Sequence, residues 1–269
     1  MTKTITLIGC GRMGGAMLQG WLASDIDATY NVVEPFGQPE FTKDNSRVAY
    51  GETTDAIKEQ VAASDVCILA VKPQMMKDVC EALNGTINTN CLILSVAAGQ
   101  TIANFEAYFG NEQPIVRVMP NTPAAIGKGM SVACANQNAS TDQKDIVTTL
   151  LNCSGKTEWI EDESLMNAVT AVSGSGPAYI FHLIEALAKA GEHVGLDTDK
   201  AMSLARQTVI GSAALAESEA DTAASTLREN VTSPNGTTAA ALDVLMDGRF
   251  QEILNEALNA AKIRGEELA

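Results

Sequence analysis

The sequence predicts an α/β domain built on a doubly wound parallel sheet, followed by an all-α domain. Short apolar runs, each the length of one strand, alternate with helical patterns through the first half of the chain. A glycine-rich segment directly follows the first run. Beyond about residue 160, strand-like runs give way to alanine- and leucine-rich helical spacing. Because this alternation is typical of a sheet covered by helices on both faces, we divide the chain into residues 1–160 and 161–269.

Hydrophobic periodicity places the individual elements. Apolar runs predict strands over residues 4–8, 30–34, 66–71, 91–96 and 115–119. Helical spacing between these runs predicts helices over residues 12–23, 54–62, 75–83 and 101–109. The same spacing in the second domain predicts helices over residues 180–190, 201–217, 237–246 and 250–264. The last helices are apolar over much of their surface, which fits burial against a second subunit or an ordinary internal core.

The composition excludes several classes of partner. Lys and Arg number 18 and Asp and Glu number 33, giving a formal net charge of −15. A nucleic-acid-binding protein or one that docks on anionic lipid needs a basic surface, so neither partner is expected. No apolar run approaches the roughly 18 residues of a membrane span, and the N-terminal apolar stretch is too short for a secretion signal. We therefore expect a cytoplasmic protein.

The cysteines and histidines indicate neither a disulfide framework nor a metal site. The six cysteines are scattered, several of them in apolar runs, with no C-x-x-C spacing, which is typical of reduced thiols. His182 and His193 are the two histidines, and both fall within helical patterns. A His-based metal site or a Ser-His-Asp triad is therefore not expected.

A dinucleotide-binding motif lies between the first predicted strand and the first predicted helix. Its G-x-G-x-x-G pattern consists of Gly9, Cys10, Gly11, Arg12, Met13 and Gly14. In this position the pattern predicts a Rossmann-type site. Gly9 permits the tight turn, Gly11 lets the pyrophosphate approach the backbone, and Gly14 lets the helix pack on the strand. The N–H groups at the start of the helix would bind the phosphates.

An acidic residue at the end of the second predicted strand bears on the choice of dinucleotide. Glu34 lies twenty residues beyond Gly14, where an acid hydrogen-bonds the ribose 2′-OH of NADH and repels the 2′-phosphate of NADPH. Residues 35–39 contain no Lys or Arg that could bind a phosphate. The sequence thus favours NADH, although a solvent-facing Glu34 would leave both cofactors possible.

Two further segments have positions suited to ligand binding. Lys72 follows an apolar strand at its carboxyl end, where ligands of such sheets bind, although a solvated lysine is equally typical there. Residues 230–238 form a turn that opens a helix, and its hydroxyls and free N–H groups could bind a carboxylate. An ordinary capped turn is the alternative.

Six motifs occur in order along nearly the whole chain. They are G-C-G-x-M-G at residues 9–14, A-V-K-P at 70–73, S-x-A-A-G at 95–99, M-P-N-T-P at 119–123, S-G-S-G-P-A-Y at 173–179 and S-P-x-G-T-T at 233–238. In this order they resemble the motifs of pyrroline-5-carboxylate reductases. The resemblance implies reduction of the cyclic imine 1-pyrroline-5-carboxylate to L-proline, with hydride from NADH or NADPH. It also implies that the all-α domain is a dimerisation domain, and that the enzyme is a homodimer or a ring of dimers.

The resemblance also implies roles for individual residues. The substrate-binding set would be Ser175, Ser233, Gly236, Thr237 and Thr238. The hydroxyl of Thr238 would lie against the imine nitrogen as the catalytic group, and a substrate that arrives protonated needs no strong general acid. Beyond the glycine-rich loop and Glu34, the cofactor-binding set would be Ala70, Val71, Lys72, Pro73, Ala97 and Asn230.

The chain departs from the family pattern at two positions. Asn235 replaces the usual glycine of the 233–238 segment, and asparagine tolerates the positive φ that the turn needs. Glu34 stands where members that use NADPH usually carry a small or basic residue. This second departure places an NADPH assignment in doubt for this chain.

Three alternative functions remain. A β-hydroxyacid dehydrogenase has the same domain plan, but Ile180 occupies the position four residues after Gly176 where that family has its catalytic lysine. A nucleotide sensor or scaffold that has lost catalysis would not need Thr238 or the 233–238 segment. A related imine reductase acting on a six-membered ring fits the same motifs.

Overall fold

The computed structural model describes residues 2–268. These residues form two compact units. The first unit comprises residues up to Gly174 together with the segment from Ala261 onward, and the second unit comprises Ser175–Ala260.

The first unit is organised around one sheet, which has eight strands in the described part of the chain. They are β1 (Lys3–Ile8), β2 (Ala28–Val33), β3 (Val48–Gly51), β4 (Val66–Leu69), β5 (Leu92–Ser95), β6 (Ile115–Met119), β7 (Gly129–Ala135) and β8 (Gly155–Trp159). The strand order is β3-β2-β1-β4-β5-β6-β7-β8. Neighbouring strands are parallel except β6 and β7, which are antiparallel. The predicted doubly wound sheet is confirmed, and β3, β7 and β8 are strands that the sequence did not predict.

Helices cover both faces of this sheet. They are α1 (Arg12–Ala23), α2 (Lys58–Ala62), α3 (Met76–Leu83), α4 (Ile102–Phe109), α5 (Thr141–Asn152) and α6 (Met166–Val169). Strand residues alternate between two buried apolar clusters, so that Leu7 faces one cluster and Ile8 the other. Side chains of α1 and α5 fill the first cluster, and those of α2, α3 and α4 fill the second. Both faces are apolar because both are covered, as the continuous apolar runs predict.

The segment that follows residue 160 packs with the sheet. Met166 on α6 is buried in the second cluster, and a π-helix, Thr170–Gly174, continues the chain. A Cβ on Gly174 would lie 3.3 Å from the sulfur of Met119, so the π-helix ends directly against the last residue of β6. For this reason the compact units divide after Gly174, later than the boundary predicted at residue 160.

The second unit consists of helices, as predicted. They are α7 (Gly176–His193), α8 (Thr198–Ser218), α9 (Ala224–Asn230), α10 (Thr237–Leu245) and the first part of α11 (Arg249–Glu267). The helices α7 and α8 pack closely where Gly191 meets Ala201. Large apolar side chains remain exposed in the single chain: Phe181, Leu204, Ile210, Val244, Met246, Phe250 and Ile253. No helix within residues 2–268 combines the length and the hydropathy required of a membrane span.

Candidate active site

The glycine-rich loop is held in a fixed shape by the strands around it. Gly9 has a φ of +92°, and its N–H donates to the carbonyl of Val33 at 2.9 Å. A Cβ on Gly9 would lie 2.9 Å from both the carbonyl oxygen of Ala70 and a methyl group of Val71. The loop therefore lies directly against the end of β4, and only glycine fits at this position.

The other two glycines of the loop differ in the space around them. A Cβ on Gly14 would overlap the carbonyl oxygen of Gly9, so glycine is required for α1 to start this close to the loop. A Cβ on Gly11 would meet no atom within 4 Å. Gly11 is also the N-cap of α1, and no side chain caps its free N–H groups. The loop thus leaves open the position at which a pyrophosphate would approach an uncapped helix N-terminus.

Glu34 points its carboxylate at this loop. Its Oε2 accepts a hydrogen bond from the N–H of Cys10 at 2.7 Å, and its Oε1 accepts one from the N–H of Phe36 at 3.2 Å. Burial, with a smaller contribution from the Glu34 charge, raises the pKa of the Cys10 thiol to about 11. Cys10 is therefore a neutral thiol at physiological pH.

The remaining cofactor candidates of the first unit lie at the carboxyl ends of adjacent strands. Ala70 follows β4, and its N–H donates to the carbonyl of Ile8 at the end of β1. Lys72 is exposed and precedes a 3₁₀ turn that begins at Pro73. Ala97 follows β5 and is buried, with its N–H directed to the hydroxyl of Ser95 at 3.3 Å. Because β1, β4 and β5 are neighbours, these residues share one edge of the sheet with the glycine-rich loop.

The substrate candidates lie in the second unit. The N–H of Gly236 donates to the carbonyl of Ser233 at 3.0 Å, which closes a turn with Pro234 at its second position. Asn235, at the third position, has a φ of +58°. This arrangement is that of a type II turn, and it bears out the prediction that asparagine can replace the glycine here. Asn230 is the last residue of α9, which precedes the turn.

The turn leads into a helix whose N-terminus has no side-chain cap. Gly236 is the N-cap of α10, and no side-chain oxygen accepts from the first N–H groups of that helix. Thr237 is exposed and Thr238 is half-buried, and both stand in the first turn of α10. Ser175 is the N-cap of α7 and likewise makes no side-chain cap. An uncapped N-terminus beside hydroxyl groups is suited to a carboxylate.

Sequence reasoning missed a buried ion pair near the same sheet edge. Arg117 on β6 is 3% exposed, and its Nη1 donates to Oε1 of Glu163 at 2.8 Å. The same oxygen accepts from the N–H of Ile102 at the start of α4, at 2.9 Å. A charged residue within the apolar run of β6 was the one signal in the sequence. Its partner, Glu163, lies 46 residues away, and nothing in the sequence around Glu163 indicates a buried ion pair.

Two family models match the chain. The model described as pyrroline-5-carboxylate reductase dimerisation matches residues 163–268. The model described as NADP oxidoreductase coenzyme F420-dependent matches residues 4–99. Together they cover the first five strands of the sheet and all of the second unit.

Curated relatives match over the full length. A pyrroline-5-carboxylate reductase of Pseudomonas aeruginosa is 41% identical over 269 residues, which is 100% of this chain and 97% of the relative. The enzyme of the same name from Haemophilus influenzae is 39% identical and covers 99% of this chain and 97% of its own length.

Solved structures of reductases with the same or a similar name also superpose on nearly the whole chain. A pyrroline-5-carboxylate reductase of Coxiella burnetii superposes with a TM-score of 0.92 at 35% identity, covering 100% of this chain and 99% of that one. The pyrroline carboxylate reductase of Plasmodium falciparum, solved with NADP bound, superposes with a TM-score of 0.79 at 30% identity, covering 99% and 98%.

Proposed function

This chain belongs to the pyrroline-5-carboxylate reductase family, and we propose on that premise that it reduces 1-pyrroline-5-carboxylate to L-proline, the last step of proline biosynthesis. The observation that carries the proposal is the turn at residues 233–238. There a type II turn delivers two threonines to the uncapped N-terminus of α10. A nucleotide sensor or a scaffold would have no use for this arrangement.

NAD(P)H is the cofactor that fits the first unit. The open space at Gly11 and the free N–H groups of α1 would hold its pyrophosphate, and Ala70, Val71 and Ala97 would line the edge of the sheet beside it. Lys72 and Pro73 would contribute from the end of β4, and the family resemblance adds Asn230, the last residue of α9. When bound, the nicotinamide supplies the hydride.

The substrate carboxylate would be bound at the start of α10. The N–H groups of Thr237 and Thr238 are free for it, and the hydroxyl of Ser233 stands at the beginning of the same turn. The positive end of the helix dipole adds to this attraction. Gly236 keeps the turn tight, because a Cβ there would lie 2.5 Å from the hydroxyl of Ser233. Ser175, the uncapped N-cap of α7, completes the proposed set.

Thr238 would hold the imine nitrogen through its hydroxyl. A protonated imine carries the positive charge that makes its carbon electrophilic, so the residue has to orient the N–H and exclude water rather than supply a strong acid. Reduction of the imine carbon would make it the δ carbon of proline, and the electron pair of the C=N bond would move to the nitrogen that Thr238 holds. Most of the acceleration would then come from positioning.

Glu34 would make NADH the preferred cofactor. Its carboxylate is already fixed by the N–H groups of Cys10 and Phe36. At the edge of the glycine-rich loop it can accept a hydrogen bond from a ribose 2′-OH, whereas a 2′-phosphate there would meet its negative charge. The NADP in the Plasmodium falciparum structure belongs to that relative.

Assembly and location complete the proposal. The match to a dimerisation model and the exposed apolar side chains of α7, α8, α10 and α11 support a homodimer formed through the helical domain, residues 161–269. Residues 1–160 would then serve mainly to bind the cofactor. We propose a cytoplasmic homodimer, alone or as the unit of a ring of dimers, with neither nucleic acid nor a membrane as a partner. The net charge of −15 supports the last two exclusions.

The reaction is tested by following the transferred hydride. The enzyme is incubated with 1-pyrroline-5-carboxylate and NADH carrying deuterium at the transferable position, and the products are analysed by mass spectrometry and NMR. Proline with one deuterium on its δ carbon is expected. Binding of NADH without turnover would contradict the proposal in favour of a sensor. Faster reduction of the six-membered homologue would assign the site to a different ring.

A further inference from the structure

The loop after β6 carries a motif to which the proposed function gives no role. Asn121, in the M-P-N-T-P segment, lies two residues beyond the carboxyl end of β6. Its Nδ2 donates to the carbonyl of Ser173 at 3.0 Å, and its Oδ1 accepts from the N–H of Met130 on β7 at 2.9 Å. The carboxamide therefore uses both of its ends to join two segments that are distant in sequence.

The segment joined by the Nδ2 group is the π-helix Thr170–Gly174. Runs of π-helix are rare and occur frequently at functional sites. Its hydroxyls bond backward along the chain, from Thr170 to the carbonyl of Met166 at 2.8 Å and from Ser173 to the carbonyl of Val169 at 3.2 Å. A single residue, Gly174, separates Ser173 from Ser175. The bond from Asn121 is therefore made at the point where the first unit passes into the proposed substrate-binding segment.

We propose that Asn121 is a positioning residue for imine reduction. By holding the carbonyl of Ser173, Asn121 fixes the geometry of the π-helix and of the chain that leads into Ser175. It touches neither substrate nor cofactor in this account, and it acts only through the backbone of Ser173. The inference rests on the proposed function, because it requires Ser175 to contact the substrate.

A second asparagine provides an internal comparison at the opposite end of the same strand. The Oδ1 of Asn136 accepts from the N–H of Ile115, the first residue of β6, at 3.0 Å. Its Nδ2 donates to the carbonyl of Gln113 at 2.9 Å. Asn136 thus makes the same two kinds of bond as Asn121, and its Nδ2 donates a further bond to Oε1 of Glu106 at 3.1 Å. It lies at the amino end of β6, away from the edge where such sheets bind ligands.

The test compares Asn121→Asp with Asn136→Asp. Each substitution keeps the oxygen that accepts from a strand N–H and replaces the donor with a second oxygen, which then faces a carbonyl. For Asn121→Asp we expect the KM for 1-pyrroline-5-carboxylate to rise about tenfold and kcat to fall, which corresponds to the loss of about one hydrogen bond. The Kd for NADH should stay within about twofold of the wild-type value.

For Asn136→Asp we expect a fall in Tm at least as large as that of Asn121→Asp, because the new carboxylate also faces that of Glu106, but unchanged kcat and KM. Asn121→Ser, which removes both bonds without adding charge, is measured in parallel and should reproduce the rise in KM even where the aspartate variant folds poorly. Equal kinetic effects in the Asn121 and Asn136 variants, or an NADH Kd that weakens as much as the substrate KM rises, would overturn the positioning role. Absence of turnover in the wild-type enzyme would instead refute the proposed function.

Discussion

The glycine-rich loop and the 233–238 turn carry the two halves of the proposed chemistry, yet they are stabilised in different ways. The loop is supported by β2, β4 and the carboxylate of Glu34, and two of its three glycines leave no room for a Cβ. The turn is mostly exposed and is closed by one backbone hydrogen bond between Gly236 and Ser233. Substitutions in the loop should therefore act through the volume of the added side chain. Substitutions in the turn should act through the loss of a chemical group or through the backbone preference of the new residue.

The largest difference is expected between two glycines of the loop. Gly14→Ala forces a methyl group into the carbonyl of Gly9, so it should lower the free energy of unfolding by about 3 kcal/mol. Because the methyl group also displaces the loop, NADH binding should weaken about 100-fold. Gly11→Ala meets no neighbouring atom, so it should fold with a wild-type Tm and still bind NADH about tenfold more weakly, because its methyl group fills the pyrophosphate position. Calorimetric titration with NADH and thermal unfolding measure both effects. Wild-type NADH affinity in both variants would mean that the cofactor binds elsewhere.

The next largest effect is expected at Thr238, in the turn. Thr238→Ala removes the hydroxyl that holds the imine nitrogen and should lower kcat about 100-fold. Binding of NADH and the Tm should be nearly unchanged, because Thr238 is half-buried and makes no cap. Thr238→Ser keeps the hydroxyl and should retain most of the activity. An unchanged kcat in the alanine variant would remove Thr238 from the mechanism.

A smaller change is expected at Glu34, the acidic support of the loop. Glu34→Ser relieves the repulsion of a 2′-phosphate and should raise kcat/KM for NADPH relative to NADH about tenfold, which corresponds to about 1.4 kcal/mol. Glu158→Ser, an exposed acid on β8 at the opposite edge of the sheet, is the matched control and should leave the ratio unchanged. If both variants give the wild-type ratio, Glu34 does not contact the ribose.

The smallest effect is expected at Asn235, where the turn depends on backbone preference. Its φ of +58° costs little for asparagine or glycine and about 1 kcal/mol for alanine. Asn235→Gly should therefore keep wild-type kcat/KM, and Asn235→Ala should lose a few-fold. Steady-state kinetics of the two variants make this comparison, and a more active alanine variant would argue against a type II turn in the working enzyme.

The sequence predicted the parts of the fold whose signals are local. β4 and β5 are nearly continuous apolar runs, and Arg117 alone interrupts the run of β6. β1 and β2 contain polar residues but are rich in strand-forming threonine, isoleucine and valine. In contrast, β3 and β8 are the two edge strands of the sheet. β8 (Gly155–Trp159) is polar, and three of the four residues of β3 are only half-buried, so neither is a continuous apolar run. The helix α9 consists largely of polar residues and was missed for the same reason.

The residues of the candidate site likewise divide into those with a local signal in the sequence and those without one. The glycine pattern and the twenty-residue spacing to Glu34 are local signals, and the structure places Glu34 on the N–H of Cys10. The bond from Asn121 to Ser173 joins residues 52 positions apart, and nothing near either residue in the sequence indicates it. Contacts of this kind depend on the packing of the π-helix against β6, which only the folded chain defines.

The most direct test of the account is steady-state oxidation of NADH and of NADPH, each with 1-pyrroline-5-carboxylate at equal concentrations. The account predicts turnover with both cofactors and a higher kcat/KM with NADH. A clear preference for NADPH would keep the reaction and contradict the role given to Glu34. Absence of turnover with either cofactor would contradict the central claim that this chain is an imine reductase.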